Sequence, residues 1–271
     1  MPIKMLVTDM DGTLLGRDKS VSPGNRAAIE RLKQRGVKIV LASGRMVESM
    51  LPTARVLNVN APLIAYNGAA LYDMQLGALS HALTIPAHWS AMLCEAAESM
   101  GLHIQCYQDD GYFAPKENRH TRAYADAIRI EPTYTQQPLS KWITKDQLKL
   151  LIIDEPKAIR NALPALRSAF ADRIRMVSSQ PEFIECTALA ADKSIALARL
   201  AAELGIAPDE IVAFGDGEND IDMLRFAGLS YAMGNASAEV QRAADRVALA
   251  SHQDGVALAI EDMLAERRLF L

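Results

Sequence analysis

The chain has 271 residues, half of them apolar, and a formal charge of −4. That apolar content can fill one large domain or two, while scattered Lys and Arg on a nearly balanced background exclude a basic nucleic-acid-binding face. No apolar run approaches the ~20 residues that span a bilayer, and Met1-Pro2-Ile3-Lys4 lacks the long apolar region of a signal peptide. Cys94, Cys106 and Cys186 are odd in number and lack metal-ligand spacing, so buried free thiols in a reducing cytoplasm are expected.

In chain order, Ile3 to Thr8 is a short apolar run suited to a central parallel strand. Ser22 then caps a helix with Pro23 at its first position, ended by Gly36. The strand Val37 to Ala42 runs into Ser43-Gly44-Arg45. A helix over Met46 to Leu57 leads to the strand Leu63 to Tyr66, closed by Asn67-Gly68.

From Leu83 to Thr187 the rhythm changes. A helix (Ala87 to Met100), a strand (Leu102 to Tyr107), a turn at Asp109-Asp110-Gly111, a short strand and a helix near Arg122 are expected. The strand Leu148 to Ile153, a helix begun at Pro156, and the strands Ile174 to Val177 and Phe183 to Cys186 follow. Adjacent strands with turns between them indicate an antiparallel α+β unit inserted into the core.

The strand–helix alternation then resumes. Lys193 to Leu204 reads as a helix with Ile195, Leu197, Leu200 and Leu204 at helical spacing and Gly205 at its end. Next come the strand Ile211 to Phe214, a helix from Asn219 to Ala227 and the strand Leu229 to Met233. A helix after Ser237, the strand Val247 to Leu249 and a final helix from Val256 complete the set. The expected fold is α/β, a doubly wound Rossmann-like parallel sheet over residues 1–82 and 188–271, with an α+β unit over 83–187 inserted.

Asp9, Ser43, Asn67 and Asp216 each follow the C-terminal end of an expected strand, where open α/β sheets gather their ligands. Asp9 and Asp11 share a tight turn with Gly12, and Asp216 and Asp220 share a second acidic loop. Carboxylates gathered at a sheet mouth repel one another unless a cation lies between them, so a hard metal and a phosphate-like substrate are expected. A calcium loop does not fit, because Ser20 stands where the EF-hand needs its glutamate. Either acidic pair alone would read equally well as an ordinary Asp-Gly turn.

Asp9-Met-Asp-Gly-Thr-Leu-Leu15 resembles the first signature of the haloacid-dehalogenase-like phosphatase superfamily. Ser43-Gly44-Arg45 resembles the second, Lys193 the third and Gly215-Asp-Gly-Glu-Asn-Asp220 the fourth. With Tyr66-Asn67-Gly68-Ala69 and Met233-Gly-Asn-Ala236, the chain is similar to the Cof-type sugar-phosphatase branch, whose large cap domain matches the insert in position and size. Ser194 departs from the pattern, standing where many relatives have Gly.

The resemblance implies a Mg²⁺-dependent phosphatase in which Asp9 is the nucleophile. Asp11 would protonate the leaving group and deprotonate water, holding and releasing a proton near neutral pH. Asp9, the Asp11 carbonyl and Asp216 would hold the metal, with Asp220 supporting. Phosphoryl oxygens would be bound by the Met10 N–H, the Ser43 hydroxyl, the Gly44 N–H at a helix start, Lys193 and Asn219. Arg45, Asn67 and Asn235 are further candidates, although Asn67 also reads as a turn and Asn235 as a helix cap. In the insert, Tyr112, His120, Arg122 and Phe183-Ile-Glu185 are candidate leaving-group contacts, each equally readable as core or surface. His81, His88, His103 and His252 read as incidental.

The expected partner is a small-molecule phosphate ester, with sugar phosphates foremost, acted on by a monomer or small homo-oligomer. Alternatives are a phosphatase of pyridoxal phosphate or nucleotides, a phosphosugar mutase, or a non-catalytic phosphometabolite sensor. The intact set Asp9, Asp11, Lys193 and Asp216 argues against the sensor, since binding alone has no use for Asp11.

Overall fold

The computed structural model describes residues 2–109, 111–178 and 180–266, so Asp110 of the expected turn lies outside the described residues. The chain divides into two compact units. One holds the residues up to Ser80 and those from Asp192 onward; the other holds His81–Ala191.

The first unit opens with β1 (Met5–Thr8), α1 (Pro23–Lys33), β2 (Lys38–Leu41), α2 (Val47–Leu57) and β3 (Leu63–Ala65). Ser22 caps α1, its hydroxyl accepting from the Asn25 N–H. After β3 the chain makes a tight turn at Tyr66–Gly68, and then adds β4 (Ala70–Asp73) and β5 (Ala78–Ala82). β4 and β5 were not expected, and they pair beyond β3 as a separate three-stranded sheet.

The second unit contains α3 (Ala87–Ser99), β6 (His103–Gln108), β7 (Gly111–Ala114), α4 (Arg119–Ile128), β8 (Thr133–Tyr134), α5 (Leu139–Trp142), β9 (Lys149–Ile153), α6 (Pro156–Phe170), β10 (Ile174–Val177) and β11 (Phe183–Ala188). Its six strands run in the order β10-β11-β9-β6-β7-β8, antiparallel apart from the β7–β8 pair. Alternate residues Ile104, Cys106, Leu150, Ile152, Ile184 and Cys186 form one core with Leu93, Ile159 and Leu166 of the helices, as the period-2 pattern requires. The three cysteines are free and buried, and burial pushes the Cys106 thiol up to about 12.

The opposite face of this sheet mixes polar and aromatic side chains with Leu151 and Ile153. The Lys149 ammonium lies 2.9 Å from Glu185, both side chains almost fully buried. The Tyr112 hydroxyl donates to the Ile130 carbonyl, and Phe183 meets Tyr124 edge-on. Arg122 pairs with Glu117 and Glu131, and His120 stacks on His103.

Asn118 Nδ2 stands 3.1 Å from His103 Nδ1. Burial lowers the His103 pKa to about 4. The unfolded chain therefore takes up a proton between about pH 6.5 and 4 that the folded unit refuses, so stability is lost as pH falls through that window. About 2 kcal/mol should disappear between pH 7 and pH 5. Denaturant melts of this unit should show that loss, and His103→Asn should flatten it.

Returning to the first unit, the chain forms α7 (Lys193–Glu203), β12 (Ile211–Gly215), a 3₁₀ turn at Glu218–Asp220, α8 (Ile221–Phe226), β13 (Leu229–Ala232), α9 (Ala238–Ala243), β14 (Arg246–Val247) and α10 (Gly255–Ala265). Five parallel strands form a sheet in the order β14-β13-β12-β1-β2. β1 and β12 are buried along their whole length, as continuous apolar runs in a parallel sheet require. One face packs Met5, Val7, Val40, Ile211 and Ala213 against Leu197, Leu200 and Leu224, each large side chain contributing about 1.5–3 kcal/mol.

Three expectations are corrected here. Ile195 and Leu204 are exposed, and α7 instead buries Lys193, Ala196, Leu197, Leu200 and Ala201. The helix expected from Asn219 begins at Ile221, because the acidic loop first closes as a 3₁₀ turn. The last strand is Arg246–Val247, beginning one residue earlier than expected, with the Ala248 N–H still donating to the Ala232 carbonyl.

Candidate active site

The parallel register places Thr8 opposite Phe214, so β1 and β12 end together. Asp9 extends the ladder, its N–H donating to the Phe214 carbonyl at 3.0 Å. The turn that follows is closed by Leu15 N–H donating to the Met10 carbonyl. The Met10 side chain is fully buried, and Asn25 ties the end of the turn down by donating to the Leu14 carbonyl. Gly12 has φ +81°, and a side-chain carbon there would collide with the Asp216 carboxylate. Only glycine allows the two acidic loops to approach this closely.

Thr13 Oγ1 donates to Asp216 Oδ1 at 2.6 Å. Asn235 Nδ2 donates to the Gly12 carbonyl at 2.8 Å and to Asp216 Oδ2 at 3.3 Å, while its own oxygen accepts from Ser251 N–H. Asn235 therefore clamps the first acidic loop to the second; it does not cap α9, whose N-cap is Ser237.

Lys193 opens α7 with its side chain fully buried. Its ammonium lies 2.6 Å from Asp9 Oδ1 and 2.7 Å from Asp220 Oδ1. Asp220 Oδ2 accepts from the Asp216 and Gly217 N–H groups at 3.0 and 2.9 Å, so this carboxylate both anchors the lysine and shapes the loop carrying Asp216. The Ser194 departure leaves the helix start intact. The N-cap Asp192 accepts from both the N–H and the hydroxyl of Ser194.

Asp9, Asp216 and Asp220 each offer an oxygen within 4.8 Å of the others. Burial pushes the Asp9 pKa well up, against the pull of Lys193 and with the aid of Asp220 and Asp216. Burial also raises Asp216 to about 6, opposed by the Thr13 hydrogen bond and assisted by the Asp220 charge. For Lys193, burial opposes the charge, but Asp220 and Asp9 outweigh it and hold the pKa well above the usual lysine value. One ammonium thus faces three carboxylates, leaving negative charge uncompensated in a desolvated site. The donor set fits a divalent cation, which would supply that missing charge through hard oxygen ligands.

Asp11 departs from its expected behaviour. Burial would raise its pKa, but Arg45 Nε and Nη2 grip the carboxylate at 2.6 and 2.7 Å, and Lys19 Nζ adds a contact at 2.8 Å. These cations bring its pKa down to about 2. In this state Asp11 is held as an anion and does not carry a proton near neutral pH. Lys19 carries no sequence signal for this contact, because it stands eight residues away in a polar loop.

The Ser43 hydroxyl accepts from Arg45 N–H at 3.2 Å. Gly44 precedes α2 and does not open it: Met46 is the N-cap and Val47 the first helical residue. Asn219 Nδ2 donates to Asn67 Oδ1 at 2.9 Å, engaging one of its two amide N–H donors. The structure therefore links Asp9, Asp216, Asp220 and Lys193 in one cluster, Asp11 to Arg45, and Asn219 to Asn67. Thr13 was legible only as part of the turn, and its hydrogen bond to Asp216 was not.

The haloacid dehalogenase-like hydrolase family model matches residues 6–260. The chain is 31% identical to the 5-amino-6-(5-phospho-D-ribitylamino)uracil phosphatase YcsE of Bacillus subtilis, over 95% of this chain and 94% of that one. It is similar to the crystal structure of a haloacid dehalogenase-like hydrolase from Bacteroides thetaiotaomicron, with 30% identity, a TM-score of 0.88, and coverage of 96% and 99% of the two chains. The X-ray structure of TM0651 from Thermotoga maritima gives 33% identity, a TM-score of 0.84, and coverage of 96% and 97%. Among the described residues no helix is long and apolar enough to cross a membrane. The family match over nearly the whole chain, with the acidic cluster at the strand ends, makes this an enzyme: the chain belongs to the haloacid dehalogenase-like hydrolase family, as a phosphatase of its Cof-type branch.

Proposed function

We propose that this enzyme hydrolyses small phosphorylated metabolites, sugar and polyol phosphates foremost, with Mg²⁺ and through an aspartyl-phosphate on Asp9. The observation that carries the reading is the Asp9 carboxylate fixed 2.6 Å from a fully buried Lys193, beside Asp216. The Asp9 carboxylate attacks phosphorus and the ester P–O bond breaks, releasing the alkoxide. Asp11 gives that alkoxide a proton and later takes one from the attacking water, which displaces phosphate and restores Asp9. To receive its proton, Asp11 must first loosen its grip on Arg45 and Lys19.

Asp9, Asp216 and the Asp11 carbonyl would hold Mg²⁺, which when bound offsets charge on the phosphoryl oxygens. The Met10 and Gly44 N–H groups, Ser43, Lys193 and Asn219 bind those oxygens, and Asp220 keeps Lys193 in place. Residues 83–187 form the cap that selects the leaving group. The relative YcsE supports a polyol phosphate, since its named substrate carries phosphate on a ribityl chain.

Phosphate release from p-nitrophenyl phosphate with Mg²⁺ tests the chemistry, and no release would overturn it. Chelation should abolish turnover and added Mg²⁺ should restore it; activity that resists a chelator would refute the metal assignment. A panel of sugar phosphates, polyol phosphates, nucleotides and pyridoxal phosphate, compared by kcat/KM, tests the substrate class. Preference for either of the last two would replace it.

A further inference from the structure

Tyr66, Asn67 and Gly68 adopt left-handed backbone in succession, with φ of +52°, +55° and +89°. For an aromatic residue and an asparagine side by side this is a costly arrangement, and such strain persists only where the surroundings impose it. Here three neighbouring segments meet the turn. The Tyr66 N–H donates to the Arg45 carbonyl and the Asn67 N–H to the Ser43 carbonyl, at 3.0 and 2.9 Å. A side-chain carbon on Gly68 would collide with the Asp192 backbone, directly before Lys193. Asn67 Oδ1, in a residue only 4% exposed, accepts from the Asn219 amide at 2.9 Å across 152 positions of sequence.

The geometry points to Asn67 as a positioning residue for the reaction. Its side-chain oxygen takes one Asn219 N–H and so fixes the plane of that amide, aiming the other N–H at the phosphoryl group. The left-handed backbone is what delivers the oxygen. An extended residue after β3 would send the side chain elsewhere and leave the Ser43 carbonyl without its donor. Asparagine suits the position doubly, since it tolerates left-handed φ better than most residues and its amide oxygen accepts a hydrogen bond. This inference rests on the reading of Asn219 as a phosphoryl donor.

A double-mutant cycle separates the two claims, read by kcat/KM for p-nitrophenyl phosphate and by competitive inhibition with inorganic phosphate. Asn219→Ala should weaken phosphate binding about tenfold, the worth of one good hydrogen bond to a charged ligand. Asn67→Gly keeps the left-handed backbone but removes the oxygen, and should give a loss of similar size. In the Asn219→Ala background, Asn67→Gly should add almost nothing. Asn67→Asp keeps both backbone and acceptor; its added charge should weaken phosphate equally in the two backgrounds.

If Asn219→Ala leaves phosphate inhibition unchanged, the assignment of Asn219 falls and the role of Asn67 falls with it. If Asn219→Ala weakens phosphate but Asn67→Gly does nothing or acts additively, only the positioning role is overturned. Melting temperatures guard against a purely structural effect. Asn67→Gly should melt no lower than Asn67→Ala, which strains the same φ, and the opposite order would make the turn a folding element and overturn the proposal.

Discussion

Asp9→Asn should end steady turnover, lowering kcat by roughly 10⁴-fold or more, because a neutral amide is a poor nucleophile and forms no aspartyl-phosphate intermediate. The same substitution should leave the fold intact. Lys193 loses one partner at 2.6 Å but keeps Asp220 at 2.7 Å, and the crowded carboxylates lose one charge. The melting temperature should therefore hold or rise, and inorganic phosphate should still protect the variant in a thermal-shift assay. Initial-rate measurements with p-nitrophenyl phosphate and Mg²⁺ read the first effect. Turnover surviving at near wild-type rate would remove Asp9 as the nucleophile, while loss of activity with loss of fold would show that the ion pair and not the chemistry had been tested.

The parts of this site legible in the sequence are those that local rules dictate. Apolar runs followed at once by Asp9 or by Gly215-Asp216 mark strand ends in a buried parallel sheet, and the register of Thr8 against Phe214 brings those ends together. Lys193 alone read as a surface lysine opening an amphipathic helix, and only the family signatures around it made it a site residue. What stayed hidden depends on pairing across long sequence distance. Nothing in the neighbourhood of Asp11 announces Arg45, 34 residues away, and nothing in Asn67-Gly68 distinguishes a plain turn from one that reaches Asn219. Periodicity misplaced Ile195 because the inward face of α7 is set by where Lys193 must point, which is a tertiary demand. The β4–β5 hairpin was missed because β5, Ala78-Leu-Ser-His-Ala82, is largely exposed and carries no buried alternation.

Lys193→Met tests the other half of the cluster, and its expected effect on stability exceeds that of any other substitution considered. The ammonium is fully buried and is the cation shared by Asp9 and Asp220. Methionine fills similar volume, so the loss is electrostatic. Two desolvated carboxylates would be left without their counter-charge, and breaking a buried pair in this way costs about 3–5 kcal/mol. The sign of the pH dependence follows. Without the lysine, burial would hold a proton on Asp9 in the folded state above the pH at which the unfolded chain releases it. Stability would then be greatest in mild acid and would fall as pH rises through the raised folded pKa of Asp9. Urea melts of the metal-free protein between pH 5 and 8 should show that decline in the variant far more strongly than in the parent. Mg²⁺ should recover part of the loss, since a divalent cation among the same oxygens replaces missing positive charge, and Asp9→Asn in the same background should recover part of it without metal. A variant as stable as the parent at every pH, with or without Mg²⁺, would mean that the three side chains are not electrostatically coupled, and the assignment of Lys193 as the charge that holds the nucleophile would fall with it.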